Sequence, residues 1–299
     1  MKSWIAYVPF RVAAALFGLL PEPAVRWIGQ VGGRIWFNRS GDKVPLLESH
    51  MRRVLGPTAS DADVDEAVRG MFRSYARYWA ETFWFRPRRK DAISDGVERV
   101  NFDPIYAAQA AGRGIVFAVP HMGNWEIAGV IAHEIGSPIL AVAEDLPNRH
   151  ITDWFIRVRE KFDIDIVLTT DPQRRSKLIR RLKGGGAIAL LSDRDVTGNG
   201  IDVEFFGERT TVPAGPVALA ELTDSALIPV AAYFREGKGY RIEVRDAVEL
   251  PGGTSRAERV SAGAQALTVI LEDMIRVEPS QWHLFQPNWP SDERLGASR

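Results

Sequence analysis

The sequence predicts an α/β fold: a mostly parallel central sheet flanked by helices, with a helical layer at its N-terminus. Three observations carry that expectation. From about residue 101, short apolar runs alternate with helix-length stretches, as in a sheet built from strand–helix units. Residues 1–90 show helical spacing instead and no such alternation. The 299 residues, 45% hydrophobic and 25% charged, suffice for a sizeable core, and no repeat or low-complexity linker divides them. One domain is therefore expected over 1–299, with 1–90 as its helical layer and 101–290 as its α/β core.

The elements follow in order. Trp4 to Phe10 and Val12 to Leu20 are apolar but are divided by Arg11, and neither half approaches the ~20 apolar residues of a spanning helix. Lys2 and Ala13–Ala15 only imitate a signal peptide. The preferred reading is an amphipathic helix, lying in a membrane interface or packed on the domain. Leu20-Pro21-Glu22-Pro23 breaks it, and a second helix runs to about Phe37. Ser60 with Asp63 resembles a capping box and opens a long helix through Phe85. Along it Phe72, Tyr75, Trp79 and Phe83 form an aromatic stripe, read first as core packing and second as the lining of a lipid channel. Arg86, Arg88, Arg89 and Lys90 follow as a basic cluster suited to solvent or to anionic headgroups.

Strands are predicted at 114–119, 138–143, 164–169, 186–191 and 226–234, with 240–245 hairpin-paired to the last through Gly237–Gly239. Helices are predicted near 124–134, 149–162, 172–183, 213–224 and 256–276. If the strands are parallel and adjacent, three ionisable groups share the rim where such sheets bind ligands: His121 after the first run, Glu144 after the second, Asp193 after 186–191.

His121 and Glu126 are five residues apart, about 500° of helix turn and so not one helix face. His121 is expected on the loop before the helix and Glu126 inside it. From there the carboxylate can reach back to one imidazole nitrogen, leaving the other free as a base. Other features surround the rim. Helix 172–183 carries Arg174, Arg175, Lys177, Arg180, Arg181 and Lys183, a solvated face or a phosphate contact. Arg159 suits a helix C-terminus. Pro213-Ala-Gly-Pro216 leaves backbone N–H groups open to an anion. His283, within a polar and aromatic C-terminal segment, reads as structural or as a headgroup contact.

The 38 basic and 38 acidic residues cancel, which gives no support to nucleic-acid binding. The chain has no cysteine, so disulfides, thiolate nucleophiles and Cys-ligated zinc are excluded.

His121-Met-Gly-Asn-Trp-Glu126, Asp193-Arg-Asp195 with Phe205-Phe-Gly207 and Pro213-Ala-Gly-Pro216, and Trp282-His-Leu-Phe-Gln-Pro together resemble the bacterial lipid A biosynthesis (lauroyl/myristoyl) acyltransferase family. Ser74-Tyr-Ala-Arg-Tyr-Trp79 and Val142-Ala-Glu144 resemble its actinobacterial branch, the phosphatidylinositol mannoside acyltransferases. The resemblance covers roughly residues 60–290. It implies fatty acyl transfer from acyl-CoA to a mannose hydroxyl of a glycolipid, by a peripheral protein on the cytoplasmic face of the cell membrane. It makes 1–90 the membrane-proximal layer and 101–290 the catalytic core. The family's catalytic histidine falls on His121, its H-x4-acid carboxylate on Glu126 and a second carboxylate on Asp193, a position usually Glu in that branch. Acceptor contacts fall on Glu144, Arg159 and His283, with Arg194 of the Asp193-Arg-Asp195 motif as a further substrate-binding residue. No metal and no cofactor are implied beyond acyl-CoA as donor substrate.

In such a reaction His121 takes the hydroxyl proton as oxygen attacks the thioester carbonyl. Asp193 or Glu126 orients the ring, and backbone N–H groups near Gly123–Asn124 or at a helix start receive the oxyanion. The acyl chain is expected in an apolar groove between the N-terminal helices and the sheet. The alternatives are a lipid A-type saccharolipid acceptor, a metal-dependent hydrolase using His121, Glu126 and Asp193 as ligands, and a non-enzymatic lipid-binding protein.

Overall fold

The computed structural model describes residues 2–237, 239–250, 252–253, 255–292 and 295, with backbone only for residues 2–6 and 128. Four helices come first: α1 (Lys2–Leu19), α2 (Glu22–Arg39), α3 (Val44–Leu55) and α4 (Asp61–Trp84). Pro21 separates α1 from α2 and Pro23 sits in the first turn of α2, and Ser60 with Asp63 closes a true capping box on α4. Helix α2 lies close on α4 because Gly29 and Gly33 face it; a Cβ there would meet the Cα of Arg77 at 2.7 Å and of Arg73 at 2.4 Å.

Helix α1 packs Tyr7, Phe10, Ala14 and Phe17 inward, while Val8, Val12, Leu16 and Leu19 on its other side are exposed by 50%, 52%, 58% and 75%. The expected amphipathic helix is thus apolar on both faces. Among the described residues no helix is long and apolar enough to cross a membrane.

The remaining elements are α5 (Lys90–Asp95), β1 (Val97–Val100), α6 (Asp103–Ala110), β2 (Ile115–Val119), α7 (Ala128–Glu134), β3 (Ile139–Ala143), α8 (Arg149–Glu160), β4 (Ile164–Leu168), α9 (Arg174–Lys183), β5 (Ala187–Leu191), β6 (Ile201–Phe205), β7 (Glu208–Val212), α10 (Gly215–Thr223), β8 (Ala226–Phe234), β9 (Tyr240–Val244) and α11 (Arg256–Val277). The seven-stranded sheet has the order β1-β9-β8-β2-β5-β3-β4 and is parallel except for the antiparallel β8–β9 pair. This is the expected α/β sheet, including the hairpin; Lys238 in its turn lies outside the described residues.

The core lies on both faces of the sheet. Ile115 and Phe117 of β2, with Ala187 of β5, pack toward α6 and α7, whereas Val116, Ala118 and Ile188 pack toward α10, α11 and α3. Strands buried on both sides carry continuous apolar runs, and all nine residues of β8 are buried.

Three strands lie outside the expected set. β1 pairs only at the sheet edge. β6 and β7 form a separate antiparallel hairpin whose two-residue turn, Phe206 (φ 50°) and Gly207 (φ 78°), has both φ values positive, as a type I′ turn requires. The helix expected over 124–134 also divides: Trp125–Ile127 is a 3-10 turn, and the α-helix begins at Ala128.

Candidate active site

Strand order brings the candidate rim together. β2, β5 and β3 are neighbours and parallel, so His121, Asp193 and Glu144 follow three adjacent carboxyl ends. Two of the three touch. His121 Nδ1 lies 2.7 Å from Asp193 Oδ1, and the His121 backbone N–H donates to Asp193 Oδ2 at 3.0 Å. Asp193 has no solvent exposure. Burial pushes its carboxyl up, but the adjacent His121 ring, with hydrogen bonds from His121 and Trp282, holds it below the ordinary carboxylate value. An ionised carboxylate only accepts, so His121 Nδ1 carries the proton and donates it. Nε2, on the opposite edge of the ring, keeps its lone pair. The His121 side chain is 20% exposed, so this edge is reachable.

Glu126 does not reach His121. Buried in the Trp125–Ile127 turn, it accepts from Arg159 Nε at 2.8 Å and Nη2 at 2.5 Å, and from Tyr78 Oη at 3.1 Å. Burial pushes Glu126 up, but Arg159 outweighs it and the carboxyl sits below its ordinary value. Burial likewise opposes the Arg159 charge, and Glu126 more than offsets it. The reason is geometric: a 3-10 turn winds faster than an α-helix, and Arg159 of α8 offers a bidentate fork that an imidazole lacks. Arg159 is thereby half of a buried ion pair rather than a lone cation at a helix end. With Glu126 so committed, it does not converge with His121 and Asp193 as a third metal ligand would.

His283 is buried. Its backbone N–H donates to His121 O at 2.8 Å, its Nε2 lies 2.8 Å from Ser74 Oγ, and its Nδ1 has no partner. Burial, reinforced by the nearby His121 ring, pushes the imidazole down to about 3 against the pull of Asp193, so it is neutral near pH 7. The rings of Tyr75 and Trp125 lie 4.8 Å and 5.7 Å from it. Glu144 is exposed at the end of β3, and Arg194 donates to Gln286 Oε1 at 3.0 Å.

The expected oxyanion donors at Gly123 and Asn124 are already engaged. Gly123 N–H donates to Gln281 O at 2.9 Å and Asn124 N–H to Ala232 O at 3.3 Å. These bonds stitch the loop after β2 to β8 and to the C-terminal segment. Gly123 is obligatory here, since its φ is +50° and a Cβ would meet Ala232 O at 2.1 Å.

A small apolar pocket, with only about 20 Å³ of space for a water-sized sphere, lies beneath Trp125, between that ring and one face of the sheet, lined by Phe117, Val119, Ala189, Val230 and Ala232 among others. The Trp125 and His121 ring centroids are 5.5 Å apart. This pocket is lined by the strands, Trp125 and Ile131, whereas another apolar pocket lies nearer the expected groove, between Phe85 and Ile93 at the end of the N-terminal layer and Ile127, Val130 and Phe162.

Sequence reasoning missed several residues. Trp282 Nε1 donates to Asp193 Oδ2 at 2.7 Å. On α4, Ser74, Arg77, Tyr78 and Glu81 are buried at helical spacing, and Glu81 accepts from Arg77 at 2.7 Å, Asn124 at 3.0 Å and Tyr240 at 2.8 Å. That polar strip on the inward face of a helix was the available signal, because buried polar groups are kept only with partners.

The chain is similar to known proteins over most of its length. Residues 1–291 match the family described as bacterial lipid A biosynthesis acyltransferase. The chain is 33% identical over 275 residues to a phosphatidylinositol mannoside acyltransferase of Mycolicibacterium smegmatis, covering 91% of this chain and 88% of that one. It is 34% identical over 277 residues to the protein of the same name from Mycobacterium tuberculosis (strain CDC 1551 / Oshkosh), covering 91% and 85%. A lipid A biosynthesis acyltransferase of Haemophilus influenzae is 21% identical over 282 residues, covering 93% and 81%. With a family match over nearly its whole length and relatives above 30% identity, the chain belongs to the bacterial lipid A biosynthesis acyltransferase family and is an acyltransferase.

Proposed function

We propose that this acyltransferase moves a fatty acyl group from acyl-CoA to a mannose hydroxyl of a phosphatidylinositol mannoside, with His121 as general base. The observation that carries the proposal is the buried Asp193 carboxylate on His121 Nδ1, which leaves Nε2 basic at an accessible strand end. The acceptor follows the relatives named for phosphatidylinositol mannoside, at 33% and 34% identity against 21% for the lipid A enzyme.

The step balances without an acyl-enzyme. Nε2 takes the hydroxyl proton as the sugar oxygen bonds to the thioester carbon. Asp193 stabilises the imidazolium through Nδ1. The tetrahedral adduct collapses with cleavage of the C–S bond, and the imidazolium returns its proton to the leaving thiolate, releasing CoA. A positioned base of this kind is worth about 10²–10⁴ in rate. The acyl chain would enter at the apolar pocket beneath Trp125, which has to widen to take it, each buried CH₂ contributing roughly 0.8 kcal/mol. Glu144 and Arg194 on the open rim suit the sugar hydroxyls and a phosphate. Arg159 and His283 act from behind, Arg159 by fixing Glu126 and His283 by filling the space between Tyr75 and Trp125.

Docking on the cytoplasmic face of the membrane would use the outer face of α1. Its exposed Val12, Leu16 and Leu19 lie near Arg86, Arg88 and Arg89, whose guanidinium groups donate to the carbonyls of Ala14, Gly18 and Leu20. No carboxylate pairs with these three arginines among the described residues, which suits anionic headgroups.

The test is release of free CoA thiol when the protein is mixed with palmitoyl-CoA and a mannosylated phosphoinositide, with mass spectrometry of the lipid product. His121→Ala is expected to lower transfer by about 10²-fold or more. Near-wild-type transfer by that variant would overturn the mechanism, and acylation of a saccharolipid alone would overturn the acceptor.

A further inference from the structure

The Asp193 carboxylate accepts three hydrogen bonds, and one comes from the far end of the chain. Two are from His121 itself; the third is from Trp282 Nε1 to Oδ2, at 2.7 Å. Trp282 is fully buried, and its position is fixed several times over. Its backbone forms an antiparallel bridge with Met122, and the residues on either side bond the same loop: Gly123 N–H to Gln281 O at 2.9 Å and His283 N–H to His121 O at 2.8 Å. Its ring lies among Phe205, Phe206 and Trp289, with centroids 5.9, 5.8 and 6.2 Å away. Packing alone would be served by any aromatic ring here; the indole adds a donor that never ionises and cannot take the proton from Asp193.

We propose that Trp282 is a positioning residue for the transfer reaction: its indole N–H orients the Asp193 carboxylate, so that His121 presents Nε2 as the base. This rests on the reading of His121 as general base. Without the indole donor, Oδ2 keeps only the His121 backbone N–H. The carboxylate can then rotate about Cβ–Cγ, and its negative charge is less neutralised. The first effect lowers the fraction of correctly oriented imidazole. The second draws the proton more strongly onto His121, so the base is lost at a higher pH.

The experiment replaces Trp282 by Phe and, separately, by benzothienylalanine, which keeps the fused-ring shape but carries sulfur in place of N–H. For the folded variants, kcat is expected to fall about 10- to 100-fold, the range for a hydrogen bond to a charged group. KM for palmitoyl-CoA should stay within about twofold, since the indole does not touch substrate. The acid limb of the kcat/KM profile should move to higher pH. Full kcat and an unmoved limb in the folded benzothienylalanine variant would overturn the proposal. A lower kcat with an unmoved limb would also overturn it, because that is the signature of lost packing. His121→Ala separates the two readings: if it is inactive while both Trp282 variants are normal, only this inference fails; if it too is active, the general-base reading fails with it.

Discussion

Replacing Glu126 by Gln tests whether the acidic member of the H-x4-E pattern serves the chemistry or the fold. In the folded chain this carboxylate accepts two bonds from Arg159 and one from Tyr78, and none of its partners is His121. Removing one member of a buried pair leaves the other charge uncompensated, at a cost of about 3–5 kcal/mol. Unfolding entropy of ~2.1 cal/mol/K per residue gives ~0.6 kcal/mol/K for 299 residues. The melting temperature should therefore fall by about 5–8 °C. Adding Arg159→Met removes the stranded cation and should recover most of the loss, because the pair contributes little beyond its own desolvation. Calorimetry of the wild type, both single variants and the double variant closes a thermodynamic cycle, with an expected coupling above about 2 kcal/mol. The reasoning fails if Glu126→Gln melts with the wild type yet loses transfer and shifts the acid limb of its pH profile. That result would put the carboxylate on His121 during turnover.

Three further outcomes are expected. The His283 imidazole sits at about 3 in the folded chain against 6.5 ordinarily, so the unfolded chain binds the proton first; stability is whole above pH ~6.5 and declines as pH falls toward 3, by about 2 kcal/mol at pH ~5. Urea midpoints across that window should show the loss in the wild type and a flatter profile in His283→Asn, and equal slopes would refute it. Gly123→Ala forces a Cβ to 2.1 Å from Ala232 O at a φ of +50°; about 3 kcal/mol of destabilisation or insoluble expression is expected, and a soluble variant with unchanged melting would show that the loop yields. Val12→Glu with Leu16→Glu should abolish co-sedimentation with anionic vesicles while leaving the melting temperature within about 2 °C, since both side chains are already half-exposed; retained binding would move the docking face elsewhere.

The sheet was legible because its central strands are buried on both faces. Ile115–Val119, Ala187–Leu191 and Ala226–Phe234 are unbroken apolar runs, and burial on two sides leaves no place for alternation. The same physics hid the others. Val97–Val100 reads Val-Glu-Arg-Val, two charges in a four-residue edge strand that faces solvent. The β6–β7 hairpin alternates properly, Ile-Asp-Val-Glu-Phe, but its turn begins with Phe206 at φ 50°, where Asn or Asp is the usual cue. His121 and Asp193 were legible for a different reason. A parallel sheet delivers successive strand ends to one rim, so two polar residues 72 positions apart become neighbours without any contact having to be guessed.

What topology does not deliver is side-chain partnership across elements. Glu126 is nearer His121 in sequence than Asp193 is, yet sequence distance says nothing about which way a short turn aims its carboxylate. A 3-10 turn aims Glu126 at α8, where a guanidinium satisfies both oxygens. That leaves Asp193 as the carboxylate on His121, and a carboxylate with no solvent exposure needs donors from somewhere. They come from the loop it serves and from Trp282, which the sequence marks only as part of a polar and aromatic C-terminal segment. The C-terminal segment is thus part of the catalytic loop's own scaffold: three consecutive residues, Gln281, Trp282 and His283, bond Gly123, Asp193 and His121 in turn. A truncation before residue 281 strips Asp193 of its third donor and the loop of two backbone bonds, but it also removes the buried Trp282, Leu284 and Trp289 from the core, so base and fold are lost together and only single-residue changes at Trp282 separate them.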